Sequence, residues 1–499
     1  MQPLLRLLLL LLLASGTGIP AKAGDSPKSL RRDLDKIFAD NRFAAAQWGI
    51  EVFSLDRSEI LYEHNSQRLY IPASNNKILT AAAALTQLGP DYRFKTQIRV
   101  DGSVLDGVLK GNLLVVGFGD PSSSSRIGAK DPFHAFRGWA SNLKQRGIRA
   151  IDGEIIGDGT SFEETGYGQG WEWNDLAEGF AAPVSALQFN ENMVALEFAP
   201  GPESGSIASL RMTPLADYLH PDNRVVTEAV GGPARIQIEQ GRQGEDVIAR
   251  GFLTRQGGTV NRTVAVQFPV RFYLSALMYA LNAEGIDVSR CGIKEMRNAR
   301  AQSSTMLWTH SSPPLSELLA PWLKMSLNLV SETFVRALGL ELRSRATFSK
   351  GKEVVEEALG RLGIDKATYS YADGSGLSRL NLVSADALVR ILASLHRRPD
   401  FALFYDALAI AGMDGTLENR MKGTKAESNV HAKSGTLGGV SALSGYVHTA
   451  GREMLAFSFI ANNYLGGKDA AEQLQDKALL RLVAFSRKSR GQGAVGGRQ

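Results

Sequence analysis

The chain reads as a mixed α/β (α+β) protein of several domains, and three observations carry that reading. It has 499 residues, more than a single hydrophobic core organises. Strand-like stretches stand near both ends, so one sheet can be assembled from distant parts of the chain. Between them the pattern changes twice, from strand–helix–strand to a run of alternating strands. Hydrophobic content of 44% and charged content of 21% are ordinary for a globular protein.

Residues 1–23 predict a secretory signal peptide. Arg6 supplies the positive region, Leu7 to Leu13 the apolar core, and Ala21-Lys22-Ala23 a small-residue cleavage site. The apolar run is too short to span a bilayer, and no other transmembrane segment is expected. An exported, periplasmic protein follows. Losing Arg6 and Lys22 with the leader lowers the net charge from +5 to +3. Arg487, Lys488, Arg490 and Arg498 fall in a Gly-rich tail, 487–499, that reads as disordered. The body is then near neutral, which leaves nucleic-acid binding without support and allows only weak contact of the tail with an anionic membrane surface. Cys291 is the only cysteine, and no Cys/His cluster has metal spacing, so neither disulfides nor a metal or other cofactor are expected.

After the leader, residues 30–38 predict an amphipathic helix, and 48–55 with 59–63 a strand pair. Ile71-Pro72-Ala73-Ser74-Asn75-Asn76-Lys77 leads into an almost wholly apolar helix that Gly89-Pro90 ends. Such a helix is buried, yet Ser74 and Lys77 share one face of its first turn. Burial lowers a lysine pKa, and a neutral amine beside a hydroxyl can take its proton. The spacing alone is weak, because Ser141/Lys144 and Ser349/Lys352 repeat it in what read as solvated surface and a loop. Strands are expected at 92–100, 112–117 and 151–157 with a helix at 133–147, a β-α-β pattern. Gly117-Phe118-Gly119-Asp120-Pro121 lacks the third glycine of a dinucleotide turn. Strands at 194–198, 235–239, 246–253 and 262–268 predict an antiparallel module. Helices follow at 272–284, 315–325, 330–343 and 354–362. The end of the chain adds strands at 430–434, 441–447 and 453–460 and a helix at 470–485.

Two further clusters matter. Ser326-Leu327-Asn328 lies at a helix–helix junction, where a hydroxyl and an amide can relay a proton and hold a carbonyl, or simply cap a helix. Lys433-Ser434-Gly435-Thr436 lies on a strand. Lys433 and Gly435 share one face, and lysine with hydroxyls suits a carboxylate. No G-x-S-x-G occurs, and neither His431 nor His448 has the context of a Ser-His-Asp hydrolase.

In this order S-x-x-K, S-x-N and K-[ST]-G form the motif set of penicillin-binding and β-lactamase acyl-enzymes. Their flanks narrow the match: Ala372-Asp373-Gly374-Ser375-Gly376-Leu377-Ser378-Arg379, Gly439 to Tyr446, Trp171-Glu172-Trp173 and Ala182 to Leu187. The chain resembles the class C low-molecular-mass penicillin-binding proteins, the D-alanyl-D-alanine carboxypeptidase/endopeptidases. That resemblance implies a β-lactamase/transpeptidase-like domain, an antiparallel sheet with flanking helices and a helical subdomain, carrying a large inserted region. The catalytic domain would comprise 24–90 and 270–486. The insert would be an antiparallel β domain, 91–110 and 190–269, with a β-α-β domain, 111–189, nested inside it. The resemblance implies Ser74 as nucleophile, Lys77 as general base and Ser326 as proton relay tuned by Lys433. Asn328, Lys433, Ser434, Gly435 and Thr436 would bind substrate. The backbone N–H groups of Ser74 and Thr436 would form the oxyanion hole. The partners implied are peptidoglycan stem peptides, with β-lactams as covalent inhibitors. A β-lactamase-like hydrolase and a catalytically weak peptidoglycan sensor or scaffold are the alternatives.

Overall fold

The computed structural model describes residues 25–487, apart from 164–165, 215–217, 230, 242–243 and 297–303. The expected leader, and all of the expected tail but Arg487, lie outside the described residues. Arg487 itself is held in place, bridging Glu453 at 2.9 Å and Glu59.

The chain opens with α1 (Pro27–Phe38), β1 (Gln47–Ser54), β2 (Glu59–His64) and α2 (Asn76–Gln87). The insert runs through β3 (Lys95–Leu105), β4 (Val108–Gly117), α3 (His134–Gln145), β5 (Ala150–Asp152) and β6 (Glu154–Asp158). It continues as β7 (Met193–Ala199), β8 (Ser209–Thr213), β9 (His220–Glu228), β10 (Arg235–Gln240), β11 (Asp246–Thr254) and β12 (Val260–Ala265). Next come α4 (Pro269–Ala283), β13 (Gly292–Met296) and β14 (Thr305–Ser311). Helices α5 (Leu315–Lys324), α6 (Asn328–Arg343) and α7 (Phe348–Arg361) follow. The chain closes with β15 (Tyr369–Ser370), β16 (Leu382–Val383), α8 (Ala385–His396), α9 (Phe401–Ala407), β17 (Ala409–Ile410), β18 (His431–Leu437), β19 (Val440–His448), β20 (Met454–Asn462) and α10 (Lys468–Val483).

Both chain ends share one antiparallel sheet, ordered β17-β18-β19-β20-β1-β2. Leu30 and Leu34 of α1 and Leu474 and Leu479 of α10 cover one face, against Ile50 and Phe457. Ile78 of α2, Trp322 of α5, Phe334 of α6 and Leu388 of α8 cover the other, with Ala442 and Ile460. A sheet closed on both faces reads as near-continuous apolar sequence, and β19 and β20 are buried at all but one position each. The predicted all-round burial of α2 is met: residues 76–85 are buried without exception.

The insert departs from the expected nesting. Strands β13-β6-β4-β3-β14 make one mixed sheet, with α3 crossing between parallel β4 and β6. The β7–β12 module is inserted between β6 and β13, which pair in parallel. The β module therefore sits inside the β-α-β unit, the reverse of the expected order. Helix α4 and strands β13 and β14, expected in the catalytic domain from residue 270, instead share the insert's sheet and core. The module is not purely antiparallel, since β9 and β11 run parallel.

Helix α7 starts at Phe348, so Ser349 to Lys352 is helix and not the loop its polarity suggests. The reason is packing. A Cβ on Gly351 would collide with the backbone carbonyl of Val335 on α6. The glycine that weakens the helical signal lets two helices approach closely.

Candidate active site

Ser74 lies in a single 3-10 turn, Ala73–Asn75, and α2 begins one residue after it. Ala73 has φ 47°, a left-handed conformation that costs an alanine on the order of 1–3 kcal/mol. Neighbouring groups hold the turn there. A Cβ on Gly376 would collide with the Ala73 carbonyl, and one on Gly435 would lie 2.8 Å from both Pro72 O and Ser74 N. Two glycines from distant segments thus let their backbones close on the serine turn. The Asn75 amide donates to Ser444 Oγ at 2.8 Å, and that of Asn76 to Asp373 O at 2.7 Å.

Lys77 is completely buried. Its Nζ is 3.0 Å from Ser74 Oγ, 2.6 Å from Asn328 Oδ1 and 2.7 Å from Ser375 O. Burial pushes its pKa down to about 7, with Asp373 and Glu332 opposing that fall. The neutral amine keeps two N–H groups and one lone pair. Asn328 Oδ1 and the Ser375 carbonyl can only accept, so they take the two N–H groups. The lone pair is left facing the Ser74 hydroxyl, the geometry of a base set to receive its proton.

Ser326 sits between α5 and α6 with φ 60°. The elbow is pinned behind it by Trp322 Nε1 donating to Ser331 Oγ at 2.7 Å and Leu327 N to Trp322 O at 3.0 Å. Asn328 then opens α6. Among the described residues Ser326 has no side-chain hydrogen bond to Lys77 or Lys433. Lys433, also fully buried, donates instead to Ser434 O at 2.7 Å. Burial, reinforced by the charge of Lys77, holds its pKa well below the usual lysine range. The strand alternates as its spacing predicts: Lys433 and Gly435 are buried, Ser434 is half-buried and Thr436 exposed. His431 is packed away from the cleft, stacked on Tyr405 with 3.9 Å between ring centroids.

The supports behind these residues escaped sequence reasoning. Asp373 is fully buried and accepts four hydrogen bonds. Gly376 N (2.6 Å) and Asn381 Nδ2 (2.8 Å) donate to one oxygen, Ser378 N (2.6 Å) and Trp171 Nε1 (2.9 Å) to the other. Glu332 accepts from Gly374 N at 2.9 Å and Ser375 N at 2.8 Å. Burial raises its pKa to about 7. Together the two carboxyls shape the loop that presents the Ser375 carbonyl to Lys77. The Ala372–Arg379 stretch was conspicuous as sequence, but nothing local revealed that use.

The insert reaches the site at three points. Trp171 bonds Asp373. Glu172 pairs at 2.7 Å with Arg379, which also donates to Gly438 O at 2.6 Å. The carbonyl of Phe180 accepts from Asn328 Nδ2 at 2.9 Å. That last bond fixes the Asn328 amide, turning its oxygen toward Lys77. Among the described residues no group of three His, Cys, Asp or Glu side chains could hold a metal ion.

Comparison with known proteins extends the match far beyond these motifs. The family model described as D-Ala-D-Ala carboxypeptidase 3 (S13) matches residues 30–483. A D-alanyl-D-alanine carboxypeptidase of Actinomadura sp. (strain R39) is 33% identical, over 98% of this chain and 90% of that one. Penicillin binding protein 4 from Haemophilus influenzae superposes with a TM-score of 0.78 at 26% identity, covering 91% of this chain and 99% of that one. The same protein complexed with a β-lactam gives 0.72 at 25% identity, covering 90% and 97%. The likeness therefore covers catalytic domain and insert alike, and the chain belongs to the D-Ala-D-Ala carboxypeptidase 3 (S13) family.

Proposed function

We propose that this serine-type D-Ala-D-Ala carboxypeptidase works on peptidoglycan stem peptides through an acyl-enzyme on Ser74. The observation that carries the assignment is the set of three contacts at Lys77 Nζ, which direct the amine's lone pair at Ser74 Oγ. Lys77 takes the hydroxyl proton as Oγ attacks the carbonyl of the penultimate D-Ala. The developing oxyanion would be met by the backbone N–H groups of Ser74 and Thr436; in support, Gly435, the residue before Thr436, lies so close that a Cβ on it would be 2.8 Å from Ser74 N. Ser326 passes a proton to the departing D-Ala amine, with Lys433 setting the electrostatics of that transfer. That its hydroxyl bonds neither Lys77 nor Lys433 among the described residues fits a relay completed when the substrate amine enters, since catalytic hydrogen bonds commonly tighten in the complex. Asn328 orients Lys77 and the peptide, and Ser434 and Thr436 hold the terminal carboxylate. Water then cleaves the ester, returning its proton to Ser74 and releasing the shortened peptide. A β-lactam would acylate the same hydroxyl.

We place the enzyme outside the cytoplasmic membrane, by the leader expected at residues 1–23. No helix among the described residues is long and apolar enough to cross a membrane. The test is D-Ala release from a pentapeptide ending in D-Ala-D-Ala. Release by wild type and none by Ser74→Ala is expected; equal release by both removes Ser74 from the mechanism.

A further inference from the structure

The carboxylate end of the site contains a residue that no motif marks. Ser434 Oγ donates to Thr416 Oγ1 at 2.7 Å. Thr416 is exposed, in the 3-10 turn Gly415–Leu417, and that turn is firmly built. Asp414 accepts from Ile410 N at 2.9 Å and pairs with Lys324 at 2.5 Å. Gly415 has φ 56°, and a Cβ there would meet Lys324 O at 2.6 Å. Leu417 is fully buried, and its carbonyl accepts from Gly412 N at 3.0 Å. The turn therefore locks Thr416 between the elbow that carries Ser326 and the strand that carries Ser434.

Two hydroxyls bring two protons. One is used inside the pair, from Ser434 to Thr416. In that direction the outward proton is that of Thr416, and Ser434 turns its own proton to the carboxylate when the pair reverses, so each hydroxyl meets an anion with the other as its partner. The cations nearby are engaged elsewhere. Lys433 Nζ is buried on the Ser434 carbonyl, and Lys324 is paired with Asp414. His431, two residues before Lys433, is stacked on Tyr405 and kept neutral by burial. That leaves the hydroxyl pair as the donors best placed to meet an anion in this part of the cleft.

We propose that Thr416 is a binding and specificity residue for the free C-terminal carboxylate of the substrate, donating to one carboxylate oxygen while Ser434 orients it. The assignment rests on the acyl-enzyme reading above. Its ligand class is a peptide ending in a D-amino acid with an unblocked carboxylate.

The test compares wild type, Thr416→Val and Thr416→Ser on a D-Ala-D-Ala peptide and on its C-terminal carboxamide. A lost hydrogen bond to a charged group corresponds to roughly a tenfold loss or more. Thr416→Val should raise KM for the free acid about tenfold with kcat little changed, and should lower kcat/KM for the carboxamide, whose neutral oxygen accepts a weaker hydrogen bond, by a clearly smaller factor. Thr416→Ser should restore the wild-type KM. Equal losses on both substrates, an unchanged KM for the free acid, or no rescue by serine overturns the assignment. A thermal melt of each variant separates misfolding from loss of binding. Failure of wild type to release D-Ala, or retained release by Ser74→Ala, would instead overturn the acyl-enzyme reading.

Discussion

Replacing Asp373 by asparagine tests the support behind Lys77 without touching the reacting atoms. The carboxylate accepts two donors on each oxygen. Asparagine offers one accepting oxygen, and its NH2 must then face a pair of N–H groups. If the oxygen faces Gly376 and Asn381, the NH2 confronts Ser378 N and Trp171 Nε1; the flipped amide confronts the other pair. Either way two donors lose their acceptor. Each buried, unsatisfied donor costs about 1–3 kcal/mol, so the loss is about 2–6 kcal/mol. Total stabilities are about 5–15 kcal/mol, so the variant should melt several degrees lower. A second effect has its own sign. The charge of Asp373 raises the Lys77 pKa against the effect of burial. Removing it lets that pKa fall below about 7, and the acid limb of acylation moves to lower pH. The assay is stopped-flow acylation by a fluorescent penicillin between pH 5 and 9, alongside thermal melts. Unchanged melting with an unmoved acid limb, or a limb moved to higher pH, would exclude Asp373 as the support of Lys77.

Wild type itself should show that acid limb near pH 7, where the pKa of Lys77 lies. Below it the amine is protonated, and acylation should fall about tenfold per pH unit, as followed by penicillin acylation rates; a rate flat from pH 5 to 8 would exclude lysine as the base. Glu51 gives a prediction on stability. It is buried on β1, its Oε2 has no hydrogen-bond partner among the described residues, and burial with the nearby Asp386 raises its pKa to about 7. Between about 4.5 and 7 the folded state holds a proton that the unfolded state releases, so this contribution falls as pH rises through that window. Glu51→Gln should therefore raise the melting temperature at pH 8, by up to about 3 kcal/mol of stability, with the gain vanishing near pH 4.5. Equal gains at both pH values would rule out titration of Glu51 as the cause.

What the sequence exposed and what it hid divide along a physical line. Ser74 and Lys77 stand three residues apart on one surface, so their contact follows from local geometry and was legible. The alternation of Lys433, Ser434, Gly435 and Thr436 on a strand was legible for the same reason. The contact between Asn76 and Asp373 joins residues 297 apart, and no local pattern announces it. The same holds for Glu332 under the Ser375 loop, for the Phe180 carbonyl that fixes Asn328, and for Thr416 in an unremarkable turn. Gly351 misled because a glycine in a polar stretch reads as loop, whereas here it serves helix packing. The nesting of the insert was reversed because the parallel pairing of β6 with β13 closes over an entire intervening module.

The role of Ser74 as the acylated nucleophile is tested most directly by intact-mass spectrometry of the protein with benzylpenicillin, followed by peptide mapping. A single covalent adduct of the whole penicillin is expected on the peptide containing Ser74, lost in Ser74→Ala and formed far more slowly in Lys77→Met. An adduct on any other residue, or one that persists in Ser74→Ala, would contradict that role.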